Sequence, residues 1–156
     1  YRHRKATKKS KISSAALFSF FPLLIITGCH PKTEPFDYGK DNCYFCKMGI
    51  VDPKYGGEVV TKKSKVYKFD DVVCMVRFLQ SGALKEEEIS QRVIINFEKQ
   101  NDFLDVDKTI FWVSPQLRSP MGSNAAAFSS QLSAEKAREG KEGQLMKWQE
   151  LYSKVK

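Results

Sequence analysis

Val66-Tyr67-Lys68-Phe69-Asp70-Asp71-Val72-Val73-Cys74-Met75-Val76-Arg77-Phe78-Leu79 decides the architecture. Its first four residues alternate, with Tyr67 and Phe69 on one side and Val66 and Lys68 on the other. A period of two describes a strand with one packed face. At Asp70-Asp71 the period changes. An aspartate here supplies an N-cap oxygen and a negative charge at the positive end of a helix. Val72, Met75, Val76 and Leu79 then recur at helical spacing, and Gly82 is a fitting stop. Strand, cap and helix thus follow one another without a linker.

The reading extends in both directions. Residues 58–61 (Glu-Val-Val-Thr) form a second strand, joined to residues 65–69 by a Lys-Lys-Ser hairpin turn. Pro53 and the pair Gly56-Gly57 mark turns before it. Glu86, Glu87 and Glu88 read as a solvated turn or helix face rather than a hard-metal site. Residues 92–98 and 104–114 read as strands around a polar stretch at 99–102. The loop 115–124 carries Ser119-Pro120-Met121-Gly122-Ser123. Residues 125–128 suggest a short strand, and a second helix starts near Ser130 or Ser133 and runs to Arg138. The tail 144–155 is amphipathic, with Leu145, Trp148, Leu151 and Tyr152 on one side. Phe69-Asp70-Asp71 leads into a helix ending at Gly82, and Phe128-Ser129-Ser130 leads into one ending at Gly140. That echo suggests a duplicated strand-strand-helix unit.

Chemistry concentrates in Cys43-Tyr44-Phe45-Cys46-Lys47-Met48, where three sulfur donors fall within six residues. A spacing of two residues lets both thiolates turn toward one ion. Met48 adds a thioether from the same loop. Methionine is not a usual zinc ligand but suits copper(I). Zinc, a redox dithiol and a plain disulfide remain open alternatives. Met121 is the best remote partner, or else a gap-filler in the core. Cys74 sits where a helix N-terminus lowers a thiol pKa, or is a buried inert thiol. Tyr44 and Phe45 either shield an ion or close the loop over the core. Trp112 and Trp148 are packing anchors.

The N-terminal stretch has another character. Residues 1–28 open with Arg2, Arg4, Lys5, Lys8, Lys9 and Lys11 and no acid, followed by an apolar run at 15–26. This describes a secretory signal, too short for a membrane span of roughly 20 residues. Ile26-Thr27-Gly28-Cys29 resembles a bacterial lipobox, which makes Cys29 the lipidation site and residues 29–40 a lipidated tether to a domain at 41–156. The expected location is the cell membrane or outer membrane, lipid-anchored on the periplasmic side. Without residues 1–28 the formal charge of +8 loses six Lys/Arg, so 20 bases face 18 acids and +2 remains. Such a balance gives no case for nucleic acid. Beyond Cys29 three cysteines remain, a poor disulfide framework. Beyond residue 28, His30 is the sole histidine, which excludes Ser-His-Asp or Cys-His catalysis and argues for a protein that is not an enzyme.

The pattern resembles the NosL-type lipoproteins, accessory copper chaperones of nitrous-oxide reductase maturation. The features that carry it are the lipobox at Cys29, Cys43-Tyr44-Phe45-Cys46-Lys47-Met48-Gly49-Ile50, Phe69-Asp70-Asp71 opening a helix, and Ser119-Pro120-Met121-Gly122-Ser123 before Ala125-Ala126-Ala127-Phe128. The resemblance implies a small α+β domain of two similar strand-strand-helix halves, with antiparallel sheets packed by helices. It implies a copper(I) site built from Cys43, Cys46 and Met48 with Met121. Lys47 stands where the family often has glycine, and Cys74 is an additional candidate thiolate. The expected function is a membrane-anchored extracytoplasmic copper(I) chaperone with nitrous-oxide reductase as acceptor. The rivals are an exported thiol-disulfide protein using Cys43 and Cys46, and a lipid-anchored module whose cysteines form one bridge. A homodimer sharing one copper is also open.

Overall fold

The computed structural model describes residues 31–155. The expected signal segment and Cys29 lie outside the described residues. The first half contains β1 (Gly57–Thr61), β2 (Val66–Phe69), α1 (Val72–Gln80), β3 (Ile89–Ile95) and β4 (Phe103–Asp105). The second contains β5 (Ile110–Val113), β6 (Ala125–Phe128), α2 (Gln131–Arg138), β7 (Gln144–Met146) and α3 (Trp148–Lys154). The sheets run β2-β1-β3-β4 and β6-β5-β7, with every pairing antiparallel. Each half opens with a hairpin, continues with a helix, and returns a third strand beside its first. The expected α+β fold of two similar halves is therefore the observed one.

Local chemistry sets the boundaries. The Asp71 carboxylate accepts the Val73 N–H at 3.1 Å and starts α1. Ser130 does the same for α2, its hydroxyl accepting the Ser133 N–H at 3.1 Å. A single 3-10 turn at Glu86–Glu88 stays exposed, and β3 then starts at Ile89, earlier than expected. The stretch 104–114 is not one strand. Asp105 accepts the Asp107 N–H at 3.0 Å on its side chain and the Thr109 hydroxyl at 2.7 Å on its carbonyl. An aspartate bonding its own backbone two residues on makes a turn. That turn breaks the run and passes the chain from the first sheet to the second.

Burial explains the order of layers. One cluster joins Phe69, Val72, Cys74, Met75 and Val76 to Phe111, Ala125, Ala127 and Met146 from the second sheet. The alternate residues Ile110, Trp112, Ala126 and Phe128 form a smaller cluster with Ala134 of α2. Strand β6 is thus covered on both faces, which is why it reads as an apolar run. Gly57 is forced by close approach, because a Cβ there would lie 2.7 Å from the Val93 carbonyl and would meet the Met75 methyl.

The expected tether is not free along its described length. Phe36 is 4% exposed and packs with the core. Its N–H donates to Asn101 at 3.0 Å, and the Lys68 ammonium donates to the Pro35 carbonyl at 2.9 Å. This strap covers Glu58, a fully buried carboxyl on β1. One Glu58 oxygen accepts the Glu34 N–H at 3.1 Å, while Oε1 has no partner. Burial pushes Glu58 up from 4.5 to about 7, against the pull of Lys68. The folded state therefore holds this proton more tightly than the unfolded chain. The resulting stabilisation is present below the unfolded value and is lost as pH rises through about 7. Urea unfolding should accordingly show stability falling by ~1–2 kcal/mol between about pH 5 and about pH 8. Glu58→Gln should flatten that slope; an unchanged slope would assign it to other groups.

Candidate metal centre

The cysteine loop is a narrow hairpin laid against the edge of β2. The Cys43 N–H donates to the Met48 carbonyl at 2.8 Å, and the Lys47 N–H donates to the Cys43 carbonyl at 3.0 Å. Asn42 and Gly49 form a bridge at its base. The Tyr44 N–H donates to the Lys68 carbonyl at 2.8 Å, pinning the loop to β2. Lys47 closes the turn at φ 67°, in the left-handed region. A residue with a Cβ loses roughly 1–2 kcal/mol there. Its ammonium lies 4.3 Å from the centre of the Tyr44 ring and donates to the Tyr44 carbonyl, which offsets part of that cost.

This pinning brings the loop to the junction of β2 and α1. Cys43, Cys46, Asp70 and Cys74 meet there, with one ligand atom from each lying within 4.8 Å of the others. Cys43, Asp70 and Cys74 are buried and Cys46 is half-buried. All three cysteines are free thiols. Cys46 donates to Asp70 Oδ2 at 3.5 Å. The other carboxylate oxygen, Asp70 Oδ1, is buried with no hydrogen-bond partner. A buried carboxylate oxygen left unpaired beside three sulfurs calls for a cation or shared protons.

The sulfurs share protons unequally. The Cys74 thiol donates to Cys43 and lowers the Cys43 pKa from 9.0 to about 6, against the upward push of burial. Backbone N–H groups of Asp70 and Cys46 assist. Cys74 is raised in turn, first by that bond and then by burial. Cys46 is raised by burial, and the nearby Cys43 and Asp70 charges add to it. Cys43 is thus the thiol that ionises most readily of the three. A soft cation would displace the remaining protons.

The sequence-derived candidates are distributed as follows. Cys43, Cys46 and Cys74 come together. Met48 points outward from the same loop and is 56% exposed. Met121 is half-buried against the main core, and its N–H donates to Asp71 Oδ2 at 2.9 Å. Asp71 thereby ties the Met121 loop to the start of α1, one residue from Asp70. Asp70 itself was missed as a donor, because Asp70-Asp71 reads as a cap. The available signal was the doublet: Asp71 alone caps the helix, which leaves Asp70 without a capping task.

Fold and donor set together define a small α+β protein with a sulfur-rich candidate cation site at a strand–helix junction. The chain belongs to the NosL family, whose model matches residues 38–155. It is similar to the crystal structure of the copper chaperone NosL from Shewanella denitrificans, at 24% identity and a TM-score of 0.61. That match covers 78% of this chain and 96% of the other. At such identity the likeness concerns the fold. No curated protein matches the chain.

Proposed function

We propose that this protein is a membrane-anchored extracytoplasmic copper(I) chaperone that passes its ion to nitrous-oxide reductase during maturation of that enzyme. The observation that carries the proposal is the convergence of three free thiols on the buried Asp70 carboxylate, one oxygen of which has no hydrogen-bond partner. Soft sulfur donors favour copper(I) over hard cations. Membership of the NosL family and a fold neighbour described as a copper chaperone support the same cargo. The lipobox-like run at Cys29 supports anchoring outside the cytoplasm. In this reading Cys43, Cys46 and Cys74 hold the ion, and Asp70 and Met121 complete the donor set. The protein is a carrier rather than an enzyme, and Cys46, half-buried, is the ligand nearest the exit.

One observation favours the rival thiol-disulfide role: Cys43 is held near pKa 6, well below an ordinary thiol. Yet Cys43 is fully buried, which denies a partner disulfide access to its sulfur. Titration of the reduced full chain with copper(I) against a competing chelator separates the two, with zinc run in parallel. The carrier reading expects copper(I) to be withdrawn from the chelator. Copper left on the chelator, together with mixed disulfides at Cys46, would replace it with the redox reading.

A further inference from the structure

Five large apolar side chains are conspicuously exposed among the described residues, and four of them fall within residues 44–51. Tyr44 is 42% exposed, Phe45 40%, Met48 56% and Val51 70%. These four flank Cys46 in sequence, the one thiol of the cluster that is not fully buried. Apolar surface gathered on one short loop is a docking feature rather than the scattered exposure of an ordinary surface. The loop is not a floppy excursion that exposes them by default. It is closed by backbone bonds at both Cys43 and Ile50 and pinned to β2 through Tyr44.

Charge specifies what the patch fits. Lys47 and Lys65 both stand over the Tyr44 ring, their ammonium groups 4.3 and 5.8 Å from its centre. Asp52, the nearest acid in sequence, accepts the Lys54 N–H at 2.9 Å. The patch is therefore an apolar centre with two lysines on its Tyr44 side and a single acid, Asp52, beyond Val51. Lys47 keeps its side chain at a left-handed position where glycine would be unstrained. Its ammonium is held by the Tyr44 ring and carbonyl, which fixes a positive charge beside the patch.

We infer that residues 44–51 form the docking surface for the copper acceptor, a protein presenting an apolar face edged by carboxylates with a soft donor opposite Cys46. This rests on the carrier reading above and adds the route by which cargo leaves. The apolar contact excludes water around Cys46. The two lysines steer an acidic partner and speed encounter at low salt. The acceptor's donor then reaches the half-buried thiolate before the buried ones.

The test uses the full chain loaded with copper(I) and apo nitrous-oxide reductase as probe. Three variants are compared with wild type: Val51→Ser, Phe45→Ser with Val51→Ser, and Lys47→Glu. None removes a metal donor, so copper(I) affinity against a chelator should stay within about threefold. Transfer to the apo-enzyme should slow by about tenfold or more in the double variant, consistent with loss of two central apolar contacts. Lys47→Glu should slow transfer most at low salt and lose the wild-type salt dependence. Val51→Ser changes a side chain that is mostly in solvent, so its slower transfer cannot be blamed on misfolding. Wild-type rates in all three variants would overturn the docking surface while leaving the carrier reading intact. A wild type that dimerises through this patch, with variants monomeric and transfer unchanged, would instead assign it to a second copy. A wild type that keeps its copper beside the apo-enzyme would remove both the delivery reading and this occupant.

Discussion

Replacing Cys43 and Cys46 together by serine should abolish tight copper(I) binding. Loss of a group that merely orients a metal ligand already costs roughly 10–100-fold in affinity. Removing two of the donors themselves should exceed that, so a fall of at least about 1,000-fold is expected. The hydroxyl of serine is a hard, protonated donor and cannot replace a thiolate. Cys74→Ser gives finer information. Cys74 donates to Cys43 and lowers its pKa, so it either acts as a third ligand or only tunes one. Competition against a chelator, with X-ray absorption to count sulfurs, distinguishes the two. One sulfur ligand fewer in Cys74→Ser than in the wild type is expected. A double variant of Cys43 and Cys46 that retained full affinity with its fold intact would sink the site.

The strand–cap–helix passage from Val66 to Leu79 was legible because each step has local chemistry. Alternation, an N-cap aspartate and helical spacing agree over consecutive residues, and β2 and α1 appear within a residue or two of expectation. Local signals failed where tertiary pairing decides. Leu104 to Ser114 looks like one apolar-rich strand, but Asp105 turns its side chain onto its own backbone and the chain changes sheets. Three-residue β7 has too little sequence for periodicity, and it exists because β5 offers an edge. The strap before the domain carries Pro31 and Pro35 among polar neighbours, the composition of an extended linker. Phe36 is the signal that it packs, since a large apolar ring has little place in a solvated tether.

The site was half legible for a comparable reason. Sequence proximity revealed Cys43, Cys46 and Met48, but proximity in sequence does not fix direction. The hairpin geometry sends the cysteine thiols inward and the Met48 thioether out. Asp70 and Cys74 are drawn in by the fold alone. The internal echo carries a further clue. Phe69, Asp70, Asp71 and Cys74 correspond by position to Phe128, Ser129, Ser130 and Ser133. The phenylalanine and the cap recur in both halves because both need a strand end and a helix start. The aspartate and the cysteine do not recur, and those two join the thiol cluster. Comparing the halves separates what the unit needs to fold from what one copy adds.

Phe69→Ala should be among the most damaging single substitutions to stability, and it should damage the centre as well. Phe69 is fully buried at the end of β2, with its ring centre 5.3 Å from that of Phe78 on α1. Truncating a core phenylalanine costs roughly 3–5 kcal/mol, most of the stability of a small domain. The next residue is Asp70, so slack at this position loosens the carboxylate relative to the thiols. Phe128→Ala provides the control. Phe128 is also fully buried and ends the equivalent strand, but it belongs to the smaller cluster beneath α2. Both variants should lose similar stability in urea unfolding, measured without metal. Under conditions where both remain folded, only Phe69→Ala should weaken copper(I) binding, because only there does the strand end carry donors. Equal loss of affinity in the two variants would mean that binding follows global stability rather than the β2–α1 junction.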